Sequence, residues 1–483
     1  MTKTIKNQEL FSLLPLWIFA GMAVLGLSAW LLAPVEFVAA SFGPTSIRQE
    51  LSFGIHLDRL SGTVSAFIAS IGAVVYAFSR RQLAGEDRSS GFMTRLIMVV
   101  VAAYLQALSP GLGQFALGWI LVSVGLDGLL RTENQRPLAI RSASMKFWFS
   151  RAGDVAMLVA IFSPLVSNLS ITPYLMVIAV AIKTACFPLH GWLIGSLEAP
   201  TPVSALLHAG IINSGGLLLL RFPHHFQEHA DALSLLILIV LPSIVLGPLA
   251  MWTQTDYKRS LAWSTVGQMS FMLLQCALGG FGSALLHLFG HGIYKANAFL
   301  RSGTLEGMME KPLYVPSRGN LLAGMLTGFG CGLIGLGCVY AWAFRDIGAM
   351  PGGWSLFVIQ ALAVMQLAVS PASGRQKKFL IGTIGILGGL LYAGATLAME
   401  TLFAGNLGVI TPLELRGTSG IILLIGVLMS LGTLILAWSG HRWWTLTAWG
   451  KSLLVAASHG FYLNPCLPFR SPQVNARIAA NES

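Results

Sequence analysis

Apolar runs long enough to cross a lipid bilayer recur along almost the whole chain, and they constrain its fold more than any motif. A hydrocarbon core of about 30 Å takes about 20 residues of α-helix rising 1.5 Å each. About fourteen runs approach that length, at residues 11–33, 59–79, 94–109, 111–130, 145–163, 171–190, 202–221, 233–252, 260–278, 282–300, 319–341, 354–371, 379–397 and 418–439. Charged residues make up only 10% of the 483, against about 25% in soluble proteins. The expected fold class is all-α: a polytopic membrane protein of about 14 transmembrane helices. Residues 1–469 read as one integral membrane domain and 470–483 as a polar cytoplasmic tail.

The formal charge of +11 does not point to nucleic acid, because the cations sit in short connections between apolar runs. With a cytoplasmic N-terminus, the cytoplasmic connections hold Arg80, Arg81 and Arg88, then Arg131, Arg136 and Arg141, then Lys258 and Arg259. The same parity continues through Lys311 and Arg318, Arg375, Lys377 and Lys378, and Arg442 and Lys451. The opposite connections carry few cations, so both termini are expected to be cytoplasmic. The opening MTKTIKNQEL leads into a run of spanning length without a clear small-residue cleavage site, and reads as a retained first span. Cys186, Cys276, Cys331, Cys338 and Cys466 form no CxxC pair, so neither a disulfide framework nor a zinc knuckle is implied. Residues 441–463, beginning with Trp443, Trp444 and Trp449, are too short and polar to cross. They predict a helix lying on the cytoplasmic interface, either an anchor or a docking surface for another subunit.

One stretch interrupts this pattern. Residues 181–221 read AIKTACFPLHGWLIGSLEAPTPVSALLHAGIINSGGLLLLR, apolar enough for a membrane yet holding Lys183, His190, Glu198 and His208. Pro188 has no N–H and frees the Thr184 carbonyl, while Gly191 and Gly195 loosen the following turns, so an interrupted helix is predicted. Thr201 reads as the N-cap of a new helix with Pro202 at its first position, which places Ser204 and His208 one turn apart on one face. Irregular backbone at membrane depth survives where protein or trapped water satisfies it, as in the ion sites of transporters. Lys183, costly at mid-membrane, reads as a group that takes up and releases a proton; the alternative is a side chain that snorkels to the cytoplasmic surface. His208 is either a hydrogen-bonded core histidine or, with Ser204, part of a polar wire.

A second group lies in LLHLFGHGIYKANAFLRSG, where His287, His291 and Lys295 recur every four residues on one helical stripe. A His-x3-His pair also suits zinc, but no third carboxylate or cysteine ligand stands nearby in sequence, so a proton relay is the preferred reading. Arg151 and Asp154, three residues apart, either pair with each other or join the wire. In TDYKRSLAWSTVGQMSFM, Asp256 reads as a helix cap, Lys258 and Arg259 as the cytoplasmic end, and Ser264 with Gln268 as a polar face continuing inward. There is no Walker loop, nucleophile elbow or convincing metal-ligand set, so neither enzymatic activity nor a cofactor is expected in this chain.

The strings APTPVSALLHAG, DYKRSLAWSTVGQMSFM and HLFGHGIYKANAFLRSG, with the upstream Lys183, closely resemble the antiporter-like membrane subunits of respiratory complex I and of multisubunit cation/proton antiporters. The likeness covers about residues 55–305. It implies an inverted-repeat fold, with Lys183 as the channel lysine of a broken helix and His208 as the histidine of the next helix. His287, His291 and Lys295 would form a central relay. Within that superfamily, HGWL followed by EAPTPVSALLHAGIINSGG, the run LLQCALGGFGSALLHL and the ending HGFYL look most like the membrane subunit of the two-part DAB inorganic-carbon transporters. That likeness implies a bacterial inner membrane and a cytoplasmic, zinc-containing DabA-like partner resembling a carbonic anhydrase. This chain would pass protons or another cation to drive it.

The chain departs from the superfamily pattern in two places. Relatives carry a glutamate directly after the tryptophan of LGW, whereas Ile120 follows Trp119 here. Asp127, about two turns further on, either replaces it at a different depth or pairs with Arg131 at the membrane edge. The second half shows no obvious intramembrane lysine near Pro351 or Pro371, so a degenerate second repeat is expected. The alternatives within the superfamily are a proton-pumping subunit of a redox complex and a sodium/proton antiporter subunit. A scaffold without ion flux fits poorly with so many buried titratable groups.

Overall fold

The computed structural model describes residues 2–32, 34–86, 88–132, 137–165, 171–302, 318–344, 377–407 and 448–462, with a few more between 356 and 364. Helix α1 (Thr2–Leu27) is followed by a two-stranded antiparallel hairpin, β1 (Val35–Ser41) and β2 (Ser52–Leu57), and then by α2 (Arg59–Gln82), α3 (Ser89–Ala107) and α4 (Leu112–Leu130). Next come α5 (Pro137–Phe162), α6 (Thr172–Lys183), the short α7 (Gly191–Gly195), α8 (Thr201–Ala209) and α9 (Ser214–Arg221). They lead to α10 (Ala230–Thr253), α11 (Tyr257–Ala277), α12 (Phe281–Leu300), α13 (Arg318–Phe344), α14 (Lys377–Leu402) and α15 (Ala448–Ser458).

Among the described residues, eight stretches are long and apolar enough to cross a membrane, α8 and α9 counting together as Thr201–Arg221. The chain is a multi-pass membrane protein. Helices α5, α11 and α12 are less apolar but have 26, 21 and 20 residues, about 39, 32 and 30 Å at 1.5 Å per residue. Those lengths match a bilayer core, and the three helices pack beside α4, α6 and α10; their lower hydropathy comes from the ionisable residues they carry. Between α10 and α11 the backbones nearly touch: a Cβ on Gly247 would stand 2.8 Å from the Gly267 nitrogen, the small-residue contact by which membrane helices pack without a hydrophobic driving force.

The connections sort to two ends. At one end the His56 N–H donates to the Leu108 carbonyl (2.8 Å), Gly113 donates to Glu50 (2.7 Å), and Arg221 reaches both Asp58 (3.0 Å) and the Ser109 carbonyl (3.1 Å). The connections following α1, α3 and α9 therefore lie together. At the other end Arg88 donates to the Thr132 carbonyl (3.2 Å) and Lys258 to the Thr201 hydroxyl (3.1 Å), joining those that follow α2, α4, α7 and α10. Among the described residues these connections and the helix ends beside them carry Arg80, Arg81, Arg88, Arg131, Lys258 and Arg259, which the sequence parity also groups on one side.

The hairpin corrects the all-α expectation. Gln114 of α4 satisfies the backbone of Gly54 in both directions, donating to its carbonyl (3.0 Å) and accepting from its N–H (2.7 Å). Glycine is required there because a Cβ would collide with the Phe37 carbonyl oxygen of the opposite strand. Asp256 caps α11 as expected, accepting from the Arg259 N–H at 2.7 Å. Helix α15 lies against α10, where Gln254 donates to the Ser458 carbonyl at 3.4 Å. The run at 418–439, most of that at 354–371, Trp443 and Trp444, and the tail at 470–483 fall outside the described residues.

Candidate functional site

Lys183 is the last residue of α6, eleven residues and about 17 Å from Thr172, which puts it near mid-bilayer. The helix stops through a two-bond C-terminal motif: the Ala185 N–H donates to Ile182 (3.2 Å) and the Cys186 N–H reaches back to Ala181 (2.9 Å). Glycine usually takes the left-handed position of this motif. Ala185 takes it here, at φ 56°, a conformation that costs a non-glycine residue about 1–3 kcal/mol. The interruption therefore precedes Pro188 and is set at Ala185, not by the proline. Protein groups satisfy the irregular backbone that follows: Trp192 Nε1 donates to the Ile182 carbonyl (3.1 Å) and the Phe187 N–H donates to Ser243 Oγ (2.7 Å). Further on, Pro200 and not Thr201 occupies the N-cap of α8, and the Thr201 hydroxyl is used by Lys258 instead.

The break turns Lys183 inward. Its ammonium donates to Ser123 Oγ (2.7 Å) and to the Trp119 carbonyl (3.3 Å), and stands 4.6 Å from the Trp119 ring centroid. It does not snorkel. A small cavity lined by Trp119, Ser150, Gly153, Ile182 and Trp192 lies against it. Ser123 is shared: its carbonyl accepts from Lys146 Nζ at 2.7 Å, and that ammonium also donates to Asp127 Oδ1 at 2.7 Å. Arg151 pairs with Asp154 (2.7 Å) and stands 4.0 Å from Asp127.

Positions 119, 123 and 127 of α4 thus form one stripe at a spacing of four, facing α5 and α6. Asp127 belongs to the Lys183 group and does not pair with Arg131, whose guanidinium lies over the Phe147 ring at 5.7 Å. Lys146 and Ser123 are the residues sequence reasoning passed over. A span starting at residue 145 puts Lys146 at its edge, whereas α5 starts at Pro137 and puts it about 14 Å along the helix.

A second group sits where α8, α11 and α12 meet. His208 Nδ1 bonds with the Thr265 hydroxyl (3.0 Å) and its ring stacks on Phe299 (4.5 Å). Lys295 Nζ, fully buried, donates to the Leu261 carbonyl at 2.7 Å. His291 and His287 follow along the same stripe, their rings 5.9 Å apart. His287 also connects to the second half of the chain, because its Nδ1 meets Gln275 Oε1 (3.1 Å) and Gln275 Nε2 donates to the Tyr392 hydroxyl of α14 (3.1 Å). Beyond it Glu400 of α14 accepts from the Gly282 N–H at 2.7 Å.

Two expected members of this group are placed differently. Gln268 is exposed on the outer face of α11, while Thr265 and Gln275 hold the buried polar face. Ser204 is buried, but its hydroxyl has no hydrogen bond within the described structure, and His208 bonds Thr265 rather than Ser204. Nε2 of both His208 and His291 is likewise buried without a hydrogen bond among the described residues. Among the described residues no direct hydrogen bond joins Lys183 to the histidine group.

Residues 162–325 match the family model described as NADH:quinone oxidoreductase/Mrp antiporter, transmembrane. A probable inorganic carbon transporter subunit, DabB2 of Halothiobacillus neapolitanus, is 33% identical over 408 residues, covering 79% of this chain and 72% of the relative. A probable inorganic carbon transporter subunit DabB of Bacillus subtilis is 34% identical over 327 residues, 63% of this chain and 65% of the relative. In three dimensions, a chain of the Mrp complex from a Dietzia species superposes with a TM-score of 0.59 at 19% identity, over 97% of this chain and 56% of that one. That likeness is one of fold.

Proposed function

The chain belongs to the DabB family of inorganic carbon transporter subunits, and from that premise we propose that it conducts protons or another cation across a bacterial inner membrane to energise inorganic carbon uptake. The observation that carries this reading is the buried cluster around Ser123. It gathers Lys146, Lys183 and Arg151 against only two carboxylates, Asp127 and Asp154. Fully ionised, the five groups leave one excess positive charge in a low-dielectric interior, and losing one proton removes it. Arginine keeps its proton, so the exchangeable one belongs to a lysine. Lys183, beside the helix break and a small cavity, is the one with a route for it.

In this reading the His208, Lys295, His291 and His287 group carries charge onward, and Gln275 and Tyr392 extend it toward the second half. The antiporter-like inverted repeat would keep one ion-handling half and a degenerate second one, with about fourteen spans in all. Both termini would be cytoplasmic, and α15 would lie at the cytoplasmic face near the cation-bearing connections. The carbon chemistry is assigned to a DabA-like zinc subunit docked there, because the buried ionisable groups this chain gathers are suited to moving charge. Growth of carbonic-anhydrase-deficient cells in ordinary air tests this division. Expression of the chain alone is expected to give no rescue, and co-expression with a DabA-like subunit is expected to restore growth. Rescue by the chain alone would contradict the proposal. Failure of the pair, with both subunits in the membrane, would favour a redox-complex or sodium/proton antiporter role.

A further inference from the structure

At the end of the bundle away from the cation-bearing connections, three potential metal ligands converge. Glu50 comes from the connection between β1 and β2, and His224 and His225 from the 3₁₀ turn Pro223–Phe226 that follows α9. One ligand atom from each lies within 4.8 Å of the other two, and His225 Nε2 is 3.4 Å from Glu50 Oε1. A tetrahedral zinc ion with bonds of about 2.0–2.2 Å separates neighbouring ligand atoms by roughly 3.4 Å, so this pair already stands at the required spacing. The imidazoles lie side by side, ring centroids 4.3 Å apart.

We propose that Glu50, His224 and His225 form a binding site for a divalent cation of the zinc class, clamping the β1–β2 connection to the turn after α9. Two imidazoles and one carboxylate are a borderline-soft N/O set with a fourth position left for water, which suits Zn²⁺ and its transition-metal neighbours rather than Ca²⁺ or Mg²⁺. The carriers are held without any metal. The Glu50 carbonyl accepts from Gly113 (2.7 Å), and Phe222, from whose carbonyl the turn starts, is buried edge-on against Phe115 of α4 at 5.4 Å.

The nearby Glu36, His56 and Asp58 do not make a rival site. Asp58 is committed to Arg221 (3.0 Å), to His56 (3.1 Å) and to the Ser61 N–H (2.6 Å) that starts α2.

The test is titration of the tag-free, detergent-purified full chain with Zn²⁺ alone, by calorimetry and by metal analysis after dialysis. About one Zn²⁺ per chain is expected to bind, with at least about tenfold weaker affinity in each of Glu50→Gln, His224→Ala and His225→Asn, and none bound stoichiometrically in the triple variant. Co²⁺ in place of Zn²⁺ should give a visible absorption band that His224→Ala removes, and because His224 is exposed that variant leaves the fold intact. Absence of stoichiometric Zn²⁺ binding, or unchanged affinity in the triple variant, would overturn the assignment.

Discussion

Lys183→Met is expected to lower inorganic carbon uptake by about 100-fold or more, the scale on which removing a positioned proton-transfer group acts. Membrane insertion and recovery of the partner complex should be retained. Methionine keeps most of the buried volume while deleting the ammonium that bonds Ser123 and the Trp119 carbonyl. The groups left behind are a hydroxyl with a helical partner, since Ser123 Oγ also donates to the Trp119 carbonyl at 3.0 Å, and a carbonyl already in a helix. Little stability is lost. Uptake assayed at matched membrane abundance separates the two readings: a structural lysine predicts reduced abundance with normal activity per molecule, the reverse of the expected result.

Lys146 gives the opposite signature. Its ammonium is buried against Asp127, and removing one partner of a buried ion pair strips the other of its direct hydrogen-bonded counter-charge, at a cost of about 3–5 kcal/mol. Lys146→Met is therefore expected to lower thermal stability in detergent strongly, and Asp127→Asn to lower it as well. The double variant should recover most of the loss, since replacing both partners removes the stranded charge along with the pair. Additive losses in this double-mutant cycle would show that the two side chains are not energetically coupled. Stability recovered in the double variant without recovered uptake would place the pair's charge in the transport path.

The same two lysines show what was legible in the sequence. Lys183 stood out because an amine far from any cationic connection, beside a proline and two glycines, has no bland explanation that fits its depth. Lys146 did not, because Arg141 and Arg151 flank it and the helix start had to be guessed to within a few residues. The stripe of His287, His291 and Lys295 was readable from helical period alone, whereas Thr265, Gln275 and Tyr392 were not: hydroxyl and amide side chains are common in spans, and only the neighbouring helix decides which of them face inward. Choosing Gln268 over Thr265 amounted to a rotation of less than one turn of α11. The break after α6 was anticipated, but its cause was not, since nothing in the string KTAC announces that an alanine will hold a left-handed backbone. The β1–β2 hairpin was missed because its strands are shorter than any span and their turn chemistry is ordinary.

The central claim is that an ion gradient, spent through this chain, drives inorganic carbon into the cell, and an uncoupler addresses it most directly. Cells lacking carbonic anhydrase and co-expressing this chain with a DabA-like subunit are given radiolabelled bicarbonate, with and without a protonophore, and internal inorganic carbon is measured against the external concentration. An equilibrium hydratase without an energy source cannot accumulate bicarbonate. Accumulation above the external level that collapses on addition of the protonophore, and that is absent with Lys183→Met, is the predicted result; accumulation that persists unchanged through the uncoupler would contradict the account.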